Sequence, residues 1–257
     1  MPELFDMHAR ALRRDRAARS GPELFLHERA FEDCLERLSL VQRSFGRALL
    51  IGCPDPRWPE RLQAFASELD VRDPGALFAT SVSGETIVED AWLPPEAAYD
   101  LVVAVGTLDT VNDLLLALRL IRHAMAASAL LIGALSGGET VPQLRSAMRA
   151  ADAAGAGAEP HVHPRIEAAA LAPLLAEAGF VHPVVDVDRV PVSYRSFERV
   201  IADLRAMAAT NVLTARPRFM SKSARSAAAE AFAAAGDGMR TTETFEILHF
   251  AAWTKEQ

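Results

Sequence analysis

The reading of this chain turns on the stretch Ala48-Leu-Leu-Ile-Gly-Cys-Pro-Asp-Pro-Arg57. A short apolar run ending in Gly52 predicts the first strand of a parallel sheet, and the following residues turn toward a helix at 58–69. Ligands of such sheets bind at that turn. The usual device there is a glycine-rich loop whose backbone approaches the ligand and offers it N–H groups. Here Pro54 and Pro56 stand where a G-x-G-x-G loop places its second and third glycines. Proline fixes φ and has no N–H to offer.

Composition narrows the function classes. The 257 residues, half of them hydrophobic, can bury the core of one large α/β domain with appended helices. The net charge of −7 argues against general nucleic-acid binding, which would need a basic surface. Two cysteines, Cys34 and Cys53, make neither a disulfide framework nor a metal finger, so a reducing compartment is expected. The opening Met-Pro-Glu-Leu-Phe-Asp lacks a signal-peptide pattern, and no run of about 18 uncharged apolar residues occurs. The expectation is a soluble, cytoplasmic protein without a membrane span.

Outward from the loop, strands are expected at 48–52, 76–81, 86–88, 100–105 and 129–135, with helices at 58–69, 110–126, 139–154 and 167–178. This alternation predicts a parallel sheet covered on both faces. Val181 to Val192 reads as a further strand, 194–209 and 222–235 as helices, and Arg240 to Trp253 as an alternating final strand. With no crossover helix after it, that strand adds most easily antiparallel. Residues 5–20 carry Arg10, Arg13, Arg14, Arg16 and Arg19 on a polar helix, read either as a solvated face or as a dock for an acidic partner. Glu23 to Phe45 reads as an amphipathic helix covering the sheet or a partner. Ala150 to Ala158 reads as a helix end and flexible loop. The domain reading is an N-terminal helical extension at 1–45 and a domain at 46–257, with a lid-like helical insertion at about 194–235.

The strand order, with Glu89-Asp90-Ala91-Trp92-Leu93-Pro94 after the third strand and Tyr99-Asp100-Leu-Val-Val-Ala104 as the fourth, resembles the class I S-adenosylmethionine (SAM) methyltransferase fold. That fold is a seven-stranded, mostly parallel, doubly wound α/β sheet with an antiparallel last strand, here carrying an N-terminal helical extension. Val111-Asn112-Asp113, Ser136-Gly-Gly-Glu-Thr140 with Leu144-Arg145, Pro164-Arg165, Ala178-Gly-Phe180 with Pro183-Val-Val-Asp186, Tyr194, and Asp203-Leu-Arg205 with Thr210-Asn211 narrow the resemblance. Together, from about Phe5 to Trp253, they resemble bacterial relatives of the mitochondrial complex I assembly factor that hydroxylates an arginine. They are also similar to the biotin-synthesis methyltransferase that acts on a malonyl carrier protein.

The resemblance implies a SAM site, and several of its residues are replaced. The acid two positions before the first glycine is Leu50, with Asp55 as a partial substitute one turn away. The acid at the end of the second strand, which would bond the ribose hydroxyls, is expected to be replaced near Thr80 or Ser81. Asp90, near the adenine amino group, is kept. Each lost charged contact is worth about 1.5–3 kcal/mol, so two or three losses weaken binding by roughly three powers of ten. What remains of the cofactor site would comprise Gly52, Cys53, Asp90, Ala91 and Gly106.

Substrate candidates are Asn112, Asp113, Arg145, Tyr194 and Asn211, with Thr107, Gly137, Gly138 and Thr140 at the strand ends and Arg205 in the lid region. Asn112 and Asp113 read equally well as helix caps, Gly137-Gly138 as a turn, Arg145 as half of an ion pair and Tyr194 as core. His161 and His163 share a strand face but lack the further ligands of a metal site, so no metal is expected. A hydroxylase would call for a redox metal or flavin, and the sequence carries a motif for neither. The functional expectation is a SAM-dependent methyltransferase-like protein that modifies or binds a protein partner through a degenerate cofactor loop. The alternative is a scaffold, a pseudoenzyme whose SAM binding is weak or lost.

Overall fold

The structure, a computed structural model, describes residues 3–155, 157–215 and 219–256. Met1 and Pro2 of the amino-terminal reading and Ala156 of the small-residue stretch lie outside them. Two helices, α1 (Met7–Ser20) and α2 (Phe25–Leu40), precede the sheet. Then come β1 (Phe45–Ile51), α3 (Trp58–Leu62), β2 (Ala66–Asp73), α4 (Ala76–Ser81), β3 (Glu85–Thr86) and β4 (Tyr99–Val105). A 3-10 turn at Leu108–Thr110 leads to α5 (Leu114–Ala124), β5 (Met125–Ser136), α6 (Pro142–Ala153) and α7 (Ala168–Glu177). The chain closes with β6 (Val181–Tyr194), α8 (Phe197–Ala206), α9 (Lys222–Ala234) and β7 (Thr241–Trp253).

The strands form one sheet in the order β3-β2-β1-β4-β5-β7-β6, with β7 antiparallel to both neighbours and the remaining pairs parallel. The strand alternation of β1 sorts its apolar residues onto two faces. Leu49 and Ile51 join Val102, Ala104 and Leu131 beneath α5 and α7. Ala48 and Leu50 pack with Val103, Val105 and Leu101 against Phe31, Cys34 and Leu38 of α2 and Trp58 of α3. A third apolar cluster joins α6, α8 and α9 to Tyr194 and Phe245. No helix among the described residues is long and apolar enough to cross a membrane.

The structure corrects one assignment with functional weight. The segment 76–81, expected as the second strand, is helix α4, and the second strand is Ala66–Asp73, partly inside the expected helix 58–69. Its burial is patchy because its outer neighbour β3 has two residues, so β2 lacks the continuous apolar run of a buried parallel strand. Asp73-Pro74-Gly75 is the turn that ends it. Smaller shifts concern ends: the expected helix 194–209 begins at Phe197 because β6 runs on to Tyr194, and β5 begins at Met125.

Candidate functional site

The loops after β1, β2, β4 and β5 meet at the carboxyl edge of the sheet. Gly52 closes β1 at φ +84, where a Cβ would lie 2.2 Å from the Val105 carbonyl oxygen, so the turn requires glycine. Cys53 is buried behind it, and desolvation pushes its thiol up to about 12, far from a reactive thiolate. Asp55 does not stand in for an acid at position 50. Its carboxylate is held by the Arg57 side chain at 2.5 Å and by the Arg57 N–H at 2.9 Å, contacts that keep it below the usual carboxylate range. Leu50 is fully buried in the apolar layer beneath α2.

The corrected register of β2 changes the reading of the second acid. β2 ends on Asp73, so a carboxylate does occupy the position expected to be lost near Thr80 or Ser81. It is fully buried and fully bonded. Arg14 of α1 donates from Nε to Oδ1 at 2.7 Å and from Nη2 to Oδ2 at 2.5 Å. The Gly75 N–H reaches Oδ1 at 2.7 Å and the Cys53 N–H reaches Oδ2 at 2.9 Å. A carboxylate has about four acceptor positions, and these donors use four.

A second buried pair lies one helical turn back. Arg10 grips Glu89 through both terminal nitrogens at 2.7 Å and donates to the Thr107 carbonyl at 2.6 Å. Arg10 and Arg14, four residues apart, share the inner face of α1. The helix expected to present a basic surface thus turns two of its five arginines into the sheet edge. Its ends are tied down: the Asn112 side chain exchanges two hydrogen bonds with the Phe5 backbone, at 2.8 and 3.1 Å, and Asp15 accepts from the Leu77 N–H at 3.0 Å.

Beside these pairs lies a cavity of about 110 Å³ lined by His27, Gly106, Asp109, Ser136, Arg165 and Phe245 among others. Gly106 has φ +65, and a Cβ there would meet the His27 ring at 2.8 Å. Burial, followed by the nearby Arg14 charge, lowers His27 to about 4, so its ring is neutral near pH 7. Arg165 forms a wall shared with a larger groove of about 490 Å³, which Arg13, Arg16 and Arg205 line together with Leu144, Met148 and Phe197.

Gly52, Cys53 and Gly106 therefore meet at the sheet edge, and the other expected site residues disperse. Asp90 accepts from the Asp113 N–H at 2.9 Å, and Asp113 caps α5 through the Leu116 N–H at 2.8 Å. Ala91 is exposed, in the turn where its N–H meets the Val88 carbonyl. Arg145 donates to the carbonyls of Thr140 and His163 at 3.1 and 3.2 Å, a tie to backbone in place of the expected ion pair. Asn211 bridges Pro160 and Leu213, and Tyr194 sits with Phe245 in the cluster under α8 and α9. Gly137 and Gly138 pass against Glu246 and Glu167, and the Thr140 hydroxyl meets that of Ser136 at 3.0 Å. Nε2 of His161 meets Asp152 at 2.7 Å, and Nε2 of His163 accepts from the Val212 N–H at 2.8 Å.

Sequence reasoning missed Arg10, Arg14, Asp73, Glu89, His27 and Arg165. Two signals were available: the i, i+4 spacing of Arg10 and Arg14, and the Asp-Pro-Gly turn that ends β2. Arg165 stood in the Pro164-Arg165 segment that carries the resemblance but was given no site role, and nothing local distinguished His27.

Sheet order, antiparallel β7 and the covering helices define a protein of the class I SAM-dependent methyltransferase fold. Solved structures with this fold include YcgJ of Bacillus subtilis, with TM-score 0.60 and 9% identity, covering 90% of this chain and 100% of that one. Phosphoethanolamine N-methyltransferase 2 of Haemonchus contortus matches with TM-score 0.52 and 11% identity, covering 88% and 52%. By sequence the chain is homologous to the mitochondrial arginine-hydroxylase NDUFAF5 of Danio rerio, 28% identical over 247 residues that cover 89% of this chain and 75% of the relative. It is also homologous to the malonyl-[acyl-carrier protein] O-methyltransferase of Halorhodospira halophila, 31% identical over 163 residues covering 62% and 53%. No family model matches the chain.

Proposed function

We propose that this is a cytoplasmic protein of the methyltransferase-like assembly type that works by binding a protein partner, with its cofactor site closed from within. The saturated Asp73 carboxylate carries the reading. A ribose diol has no acceptor left to bond while Arg14 stays in place. The rest of the edge agrees: Pro54 and Pro56 offer no N–H, Leu50 is an apolar core residue, and Glu89 is taken by Arg10. In this arrangement the residues do not fit SAM, and no chemical step is assigned to it.

A SAM-dependent enzyme is the second reading. The presence of Asp73 at the end of β2, with Asp90 beyond it, favours it, and it requires α1 to leave the sheet edge. Calorimetric titration with SAM separates the two. The closed-site reading expects no saturable heat up to about 1 mM ligand, and a dissociation constant below about 100 μM overturns it in favour of the enzyme.

A further inference from the structure

Arg165 stands on the connection between α6 and α7, with its side chain 5% exposed. Among the described residues its Nε and Nη1 have no hydrogen-bond partner. Asp109 approaches Nε at 3.7 Å, close enough to offset charge but too far for a hydrogen bond. Other cations of the cavity differ in this respect: Arg10 and Arg14 spend their nitrogens on Glu89 and Asp73. His27, on the facing helix α2, is partly buried, and its Nδ1 atom is enclosed with no hydrogen-bond partner among the described residues. Two unpartnered polar side chains thus line one 110 Å³ cavity whose remaining walls are largely apolar, from Leu26, Val105, Leu135 and Phe245. Buried guanidinium N–H groups left unbonded are costly; with Asp109 facing Nε, an oxyanion at the terminal-nitrogen edge is the ligand that relieves Nη1.

We propose that this cavity binds the carboxylate of a short aliphatic acid, with Arg165 as the anion receptor and His27 as a second polar contact. The volume of about 110 Å³ is several times the roughly 10–15 Å³ that one buried water needs, so it admits a small organic acid. An acid of two or three carbons fits, and the apolar walls favour a carboxylate over a fully hydrated phosphate. A longer chain has an exit, because Arg165 also borders the 490 Å³ groove. The proposal does not require SAM to bind: Arg14 lines the same cavity but its hydrogen bonds go to Asp73, and neither Arg165 nor His27 is a donor to that carboxylate.

The test titrates the wild-type protein with acetate and propionate at constant low ionic strength, by calorimetry and thermal shift. Propionamide, propylamine and inorganic phosphate serve as matched controls. Saturable propionate binding at about 1 mM is expected, with each control at least about tenfold weaker. Arg165→Met should weaken propionate binding by about tenfold or more, and Arg165→Lys should retain part of it. Absence of saturable propionate binding up to about 20 mM, equal binding of propionamide or phosphate, or undiminished binding by a folded Arg165→Met variant would each overturn the proposal. The wild-type comparison decides the matter even if Arg165→Met fails to fold.

Discussion

Arg14 meets Asp73 side-on, Nε to Oδ1 at 2.7 Å and Nη2 to Oδ2 at 2.5 Å, joining the first helix of the chain to the end of the second strand across 59 residues. Both side chains are almost fully buried, 6% and 0% exposed. Breaking one half of such a pair leaves an uncompensated buried charge and costs about 3–5 kcal/mol, whereas removing both charges together costs far less. Arg14→Met should therefore lower unfolding free energy by about 3 kcal/mol in urea, and Arg14→Met with Asp73→Asn should recover most of the loss. Additive losses in the double-mutant cycle would mean that the two residues are not coupled.

The same geometry predicts the outcome of rebuilding the first acid. Leu50 lies in the apolar layer beneath α2 with no exposure, so Leu50→Asp buries a carboxylate without a partner. We expect a loss of about 3 kcal/mol or more and no gain in SAM affinity. Unchanged stability in chemical denaturation would show that position 50 opens to the loop after all.

His27 sets a pH dependence. Its folded value, about 4, lies below the unfolded 6.5, so the neutral ring stabilises the fold above pH 6.5. That contribution is lost as pH falls from about 6.5 toward 4 and is gone below it, amounting to roughly 3 kcal/mol. His27→Gln should reduce the slope of stability over this window, the remainder coming from His163 and His249, which burial also lowers. In the wild type the His27 ring should remain neutral by NMR at pH 5.5, and a charged ring there would refute the assignment.

Asn112 tests the tether on α1. It bonds both the N–H and the carbonyl of Phe5, so Asn112→Ala removes two hydrogen bonds that hold the start of the helix. Amides of Met7–Ser20 should then exchange faster, by a factor corresponding to about 1–3 kcal/mol of local opening. Unaltered protection in α1 would remove Asn112 from this role.

Gly52 marks the tightest backbone approach at the edge. Gly52→Ala forces a methyl to within 2.2 Å of the Val105 oxygen at a positive φ, so a loss of about 3 kcal/mol or more in thermal or urea unfolding is expected. A variant of wild-type stability would show that the β1 turn relaxes freely.

Periodicity determined most of the architecture of this protein, its second strand excepted. The apolar runs at 48–52, 100–105 and 129–135, separated by helical patterns, carry the parallel sheet, and the helix-free end after Arg240 carries the antiparallel strand. These signals are local, because burial on one face repeats every two or 3.6 residues along the chain. Gly52 was legible as the end of the first strand, while the need for glycine there comes from its positive φ and the 2.2 Å approach to the Val105 oxygen. Tertiary structure alone decided how the site is occupied. β2 hid from the pattern because a two-residue β3 leaves its outer edge half exposed. Arginines that read as a solvated surface became buried partners of Asp73 and Glu89, since an ion pair depends on which distant carboxylate the folded chain brings within 3 Å. A spacing rule reaches a few residues, while these contacts span 59 and 79, a separation that only the docking of α1 onto the sheet edge closes.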